Sequence, residues 1–153
     1  MPSAVRLRRL GYRVAYLGLR VWWAVRRPHT RGVKCLLRRE GGDLLFVLHT
    51  YGRREWELPG GSPRRREPPA DAACREAREE LGLELEWAPL GVAEIGGYRK
   101  TTTLHAFTAE LTDRAGLRVT PVEIAAVRWA PPGDPPQPLG RDVPAVLGLL
   151  AAR

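Results

Sequence analysis

Apolar residues recur at alternating spacings of three and four at the start of the chain: Leu7, Leu10, Val14, Leu17, Val21 and Ala24. That period lines one face of a helix and predicts an amphipathic helix over residues 4–27, ended by Pro28. Gly11 and Gly18 each weaken it by roughly 1 kcal/mol relative to alanine, so the helix needs something to pack against. The pattern then shortens to strand length. Residues 31–39 and 43–50 read as two strands joined by a turn at Glu40-Gly41-Gly42, with Val33, Cys35 and Leu37 pointing inward in the first. Leu44 to Leu48 is a nearly unbroken apolar run, which predicts burial on both faces. A short strand at 56–58 runs into Pro59-Gly60-Gly61 after a polar loop.

Residues 69–81 read as a second helix, with Pro69 at its first position and Gly82 at its end. Pro68 occupies the place where a capping hydroxyl or carboxylate is usual, so the start is poorly capped. Strands follow at 85–94 and 101–111 around a turn at Gly96-Gly97, then at 124–130. A proline-rich connection at 131–138 leads to a last helix at about 142–152.

A chain of 153 residues suits one domain with a real core, here preceded by the helix of residues 1–28. The net charge of +8 is localised. Residues 1–31 carry eight arginines (6, 8, 9, 13, 20, 26, 27 and 31) and no acid, while the remainder is balanced at 17 basic and 17 acidic residues. The basic arm is therefore the part suited to an anionic membrane surface, RNA or an acidic partner, and its leucine stripe to the domain itself or a second subunit, as in a homodimer. The apolar run from Val14 to Val25 falls short of the roughly 20 residues a spanning helix needs. Arg20 inside that run and Arg26-Arg27 after it also argue against a signal peptide. Two cysteines, Cys35 and Cys74, read as buried or half-buried thiols in a reducing cytoplasm.

The chemistry concentrates between Gly60 and Leu83. On a helix, Glu76, Glu79 and Glu80 fall at i, i+3 and i+4 and share a face. Arg75, four residues before Glu79, can hold that carboxylate, and Glu67 lies just ahead of the helix beside the glycine turn. Gly60 and Gly61 let backbone groups approach an ion or a phosphate closely. Carboxylates so grouped repel unless a cation sits among them, and magnesium needs only a few oxygen ligands plus substrate phosphates. An Arg/Glu-rich surface helix laced with ion pairs is the competing reading. The fixed offsets of the glycine turn, Glu67 and Gly82 favour the metal site.

The segment from Trp56-Glu57-Leu58-Pro59-Gly60-Gly61 through Leu83 resembles the signature box of the Nudix hydrolases, with small Ala77 at one aliphatic position. The resemblance extends over about residues 30–152 through the flanking strands and Val127-Arg128-Trp129. It implies an α/β Nudix fold, an α/β/α sandwich around a mixed β-sheet, with the N-terminal helix outside it. It implies a cytoplasmic, divalent-metal-dependent hydrolase that cuts the phosphoanhydride bond of a nucleoside diphosphate derivative by in-line attack of a metal-activated water. By the same resemblance Glu76, Glu79, Glu80 and the Gly60 carbonyl hold Mg2+ (or Mn2+), Glu67 supports them or a further metal, and Arg75 orients the glutamates. The general base is Glu76 or a late glutamate, for which Glu123 is the candidate. Tyr51, Tyr98, Arg53 and Arg54 are candidate contacts to the small-molecule nucleotide. Tyr98 falls about where diadenosine polyphosphate hydrolases of the family carry a tyrosine, whereas the proline that marks ADP-ribose hydrolases is absent. The alternatives are a non-catalytic nucleotide-binding regulatory module and an RNA 5′-end pyrophosphohydrolase.

Overall fold

The computed structural model describes residues 2–26, 29–96, 101–112 and 116–152. In chain order its elements are α1 (Pro2–Arg26), β1 (His29–Arg39), β2 (Leu44–His49), β3 (Trp56–Glu57), β4 (Gly60–Gly61), α2 (Pro69–Leu81), β5 (Ala88–Ile95), β6 (Thr101–Leu111), β7 (Ile124–Ala130) and α3 (Val143–Ala151). One mixed sheet runs β3-β2-β1-β6-β5, with β7 added on β2 and β4 on β1. The long parallel pairing of β1 with β6, from His29↔Thr101 to Arg39↔Leu111, forms its spine. The other pairings are antiparallel.

Helices cover both faces, giving the expected α/β/α sandwich. Leu36, Leu44, Phe46, Leu58 and Leu104 pack under Val143 and Val146 of α3. On the opposite face Val33 and Cys35 lie against Ala72 and Ala73 of α2, while Leu37, Leu45 and Val47 cluster with Leu81. The inward alternation expected for the first strand is therefore only half of what happens. Gly32, Lys34 and Leu36 are buried as well, because α3 closes the other side. Lys34, 7 % exposed, is held by Glu57 at 3.0 Å and Asp142 at 3.1 Å.

α2 turns small residues to the sheet. Ala73, Ala77 and Leu81 follow at four-residue steps and are fully buried with Ala72, so the backbone of the helix comes close. Ala77 thus fits its position by being small. Cys74 points off that face and is exposed, against the expectation of a buried or half-buried thiol. Gly82 ends the helix at φ 66°, donating to the Arg78 carbonyl, while Leu83 donates to that of Ala77.

The strand expected at 85–94 begins at Ala88, because Leu85 and Trp87 pack into the second core cluster instead of pairing. Gly97 of the turn expected at 96–97, Tyr98, and Arg27 and Pro28 lie outside the described residues.

α1 departs most from the expectation. Its leucine stripe does not pack on the domain: Leu7, Leu10, Val14, Leu17 and Val21 are 57–71 % exposed. The docked face carries Arg9, Tyr12, Arg13 and Tyr16. Arg9 donates to the Pro121 carbonyl at 2.6 Å, Arg13 to the Thr50 carbonyl at 3.3 Å, and Tyr12 to Glu123 at 2.9 Å. The physical reason is the surface that α1 meets. It is made of loops leaving strand ends, whose carbonyls call for donors rather than methyl groups. No helix among the described residues is long and apolar enough to cross a membrane.

Candidate functional site

The glycine turn is built by two separate constraints. Gly60 sits at φ 143°, and a Cβ there would strike the Val33 carbonyl. Gly61 has an ordinary φ, but a Cβ on it would land on the Glu76 carboxylate. The turn is pinned to β1 by the pairs Lys34↔Gly60 and Val33↔Gly61 and by the Cys35 N–H on the Pro59 carbonyl at 2.8 Å. Backbone and carboxylate therefore touch where the sequence placed them.

Arg75, 8 % exposed, is the hub of the acids. Its guanidinium grips Glu67 with two bonds of 2.8 and 2.9 Å, reaches Glu76 at 2.9 Å and Glu79 at 3.2 Å, and donates to the Ser62 carbonyl at 3.2 Å. Glu67 also accepts the Arg64 N–H at 2.6 Å. Hydrogen bonds from Arg75 and Arg64 hold its pKa down at about 2. Arg64 reaches Glu79 at 3.2 Å. The same contacts raise the pKa of Arg75, so it stays a cation.

Glu80 is different. It is 2 % exposed, accepts the Gly60 N–H at 3.0 Å, and forms none of the ion pairs found among the described residues. Burial pushes its pKa up to about 8, against the Gly60 bond, and the Glu76 charge adds to the rise. Burial likewise raises Glu76, against Arg75, with Glu79 and Glu123 adding to the rise. A dry carboxyl with a charged neighbour and no cation of its own is a site that a divalent ion would relieve. The donor set is all oxygen, which fits Mg2+ or Mn2+. Among the described residues no three acidic, cysteine or histidine side chains converge as a ready cage. Glu67, Glu76 and Glu79 each bond to Arg75.

The segment from 116 to 123 docks on the end of α2 and supplies what its last carbonyls lack. Arg118 N–H bonds to the Leu81 carbonyl at 2.8 Å and Thr120 N–H to that of Glu80 at 2.9 Å, while the Thr120 hydroxyl bonds to the Glu79 carbonyl. This brings Glu123 near the acids, and its charge raises both Glu76 and Glu80. Its carboxylate takes the Tyr12 hydroxyl from α1.

Tyr51 packs against α1. Tyr12 stacks on it with centroids 5.7 Å apart and planes at 16°, Tyr16 lies 5.9 Å away and His49 5.1 Å. Burial raises its phenol pKa, and Glu80, Glu123, Glu57 and Glu76 contribute, which puts the ring within reach of their charge. Arg54 lines the cleft beside it, and Arg53 is exposed, 3.9 Å from Glu55. Sequence reasoning missed Arg9, Tyr12, Arg13, Tyr16 and Arg20 as parts of this region. Their spacing of three and four opposite the leucine stripe was the available signal.

A family model described as NUDIX domain matches residues 28–147. A CMP-5'-(N-acetyl-N-hydroxy-3-aminopropyl)phosphonate hydrolase of Streptomyces rubellomurinus is 34% identical over 115 residues, covering 69% of this chain and 52% of that protein. An ADP-ribose pyrophosphatase of Mycobacterium tuberculosis is 60% identical over 60 residues, covering 37% and 29%. The chain thus spans about half or less of the length of these two relatives. Among solved structures, the MutT NUDIX hydrolase from Burkholderia pseudomallei superposes with a TM-score of 0.71 at 27% identity, covering 80% of this chain and 98% of that one.

Proposed function

This chain belongs to the Nudix family, and from that premise we propose that it is a divalent-metal-dependent pyrophosphohydrolase that cleaves the phosphoanhydride bond of a nucleoside diphosphate derivative. Residues 29–153 form the catalytic domain, and residues 1–28 are an appendage to it. The observation that supports this reading best is buried Glu80 on the Gly60 turn beside Glu76, with no cation of its own. A divalent ion bound there would neutralise substrate phosphates and acidify a water. Glu76, Glu79, Glu80 and the Gly60 carbonyl would hold it. Arg75 keeps Glu76 and Glu79 aimed while Glu67 anchors Arg75. Glu76 or Glu123 takes the proton from the attacking water. Arg53, Arg54, Tyr51 and Tyr98 contact the nucleotide.

The test is product release from a panel of dinucleotides, nucleotide sugars and nucleoside triphosphates with Mg2+ and with Mn2+. Glu79→Gln and Glu80→Gln should each abolish turnover. Full activity in either variant refutes the ligand assignment, and tight nucleotide binding without turnover at either metal makes the chain a binding module.

The outward stripe of α1, flanked by arginines, supports a contact outside the domain, either a second copy of the chain or an anionic membrane surface. Sedimentation of the protein alone and with anionic vesicles separates the two.

A further inference from the structure

α1 does not lie flat on the domain. Between it and the loop after β2 is a cleft of about 480 Å³, within the size range of small-ligand sites. Arg9, Arg13 and Arg20 of α1 line one wall, and Arg54 and His49 belong to the domain side. Arg9 and Arg20 are eleven residues apart on one helix, so the basic wall is about 16 Å long.

Two features make this wall more than a solvated charge run. No Asp or Glu lines the cleft, and among the described residues no ion pair joins a carboxylate to any of the four arginines. Four guanidinium groups around one concave space set up a positive field that favours an anion there. Tyr51 lines the cleft and stacks on Tyr12, whose hydroxyl donates to Glu123, so the cleft lies beside the segment that docks on the end of α2.

We propose that this cleft is a distal phosphate subsite, which takes phosphoryl groups of a nucleotide that lie beyond the scissile anhydride. The proposal rests on the catalytic reading above for its place in turnover. The preferred substrates are then nucleotides with more phosphates than the cleaved diphosphate requires. Arg20 is the residue on which it turns. Arg9 and Arg13 also hold loop carbonyls, whereas among the described residues no hydrogen bond ties Arg20 to the domain.

The direct probe is inorganic tripolyphosphate, titrated calorimetrically into the full chain without metal. One site per chain is expected. Arg20→Ala should weaken it about tenfold, the loss of one charged hydrogen bond. Arg39→Ala, at the far end of β1 beside Asp43, should leave it unchanged. In turnover, Arg20→Ala should raise KM for a dinucleoside tetraphosphate about tenfold, leave kcat alone, and leave both constants unchanged for a dinucleoside diphosphate. Equal loss in Arg20→Ala and Arg39→Ala, or no binding of tripolyphosphate, overturns the subsite. Specific binding with no turnover of any substrate upholds the subsite and removes only the catalytic reading.

Discussion

Replacing Gly61 with alanine separates the fold from the chemistry. The φ of Gly61 lies outside the left-handed region, so alanine fits the backbone, and the atoms nearest the new methyl all belong to the end of the Glu76 side chain. A flexible carboxylate can swing aside. The cost is the bond from Arg75 to Glu76, now 2.9 Å, in a site that is only partly screened. A charged hydrogen bond of that kind contributes about 1.5–3 kcal/mol, and rearrangement of Arg75 toward its other partners brings the expected loss to the lower end. For a chain of this size that lowers the melting temperature by roughly 3–6 °C. Activity should suffer far more, because the displaced group is a proposed metal ligand. A misplacement of about 1 Å typically costs about 100-fold in rate. Gly60→Ala is the contrast. There the methyl strikes the Val33 carbonyl at φ 143°, so the damage falls on the backbone and the fold itself loses about 3 kcal/mol or more. Thermal unfolding and turnover of the best substrate, measured on both variants, check the argument. Wild-type kcat/KM in a well-folded Gly61→Ala protein would refute the placement of Glu76 in the site.

Lys34→Met strips the cation from Glu57 and Asp142 and should cost about 3 kcal/mol in chemical denaturation, near the lower end for buried pairs because both acids are partly exposed. Adding Glu57→Gln and Asp142→Asn should recover most of it. Glu80 is raised from 4.5 to about 8, so the metal-free folded state holds a proton that the unfolded chain has released. Its contribution to stability is therefore present below about pH 4.5 and declines as pH rises to about 8. The difference in urea midpoint between wild type and Glu80→Gln should grow across that window in favour of the variant, and a flat difference would contradict the buried, cation-free carboxyl. Leu10→Ser and Leu17→Ser should each change the stability of the isolated monomer by less than about 0.5 kcal/mol, because both side chains are exposed. A larger loss in dilute solution would mean that the stripe is covered.

Much of the site was legible in the sequence because its parts lie close together along the chain. A helical period, a pair of glycines and a terminal glycine suffice to put Glu76, Glu79 and Glu80 on one side of α2, and covalent spacing does the rest. The apolar run Leu44 to Leu48 likewise announced a strand covered on both faces, and Leu44 to Val47 are fully buried. What the sequence could not supply were relations between distant segments. Nothing in the pattern of residues 31–39 told that α3 would close the second face of β1 and bury Lys34. The leucine stripe of α1 named a helix but not its orientation. That was decided by the carbonyls of Thr50 and Pro121, which bond to arginines and leave the leucines outside. The difference in burial between Glu80 and Glu79, adjacent in the chain, also belongs to the tertiary structure: the sheet and the Gly60 turn cover one and leave the other at the surface, and the depth of a carboxyl is fixed by what packs over it.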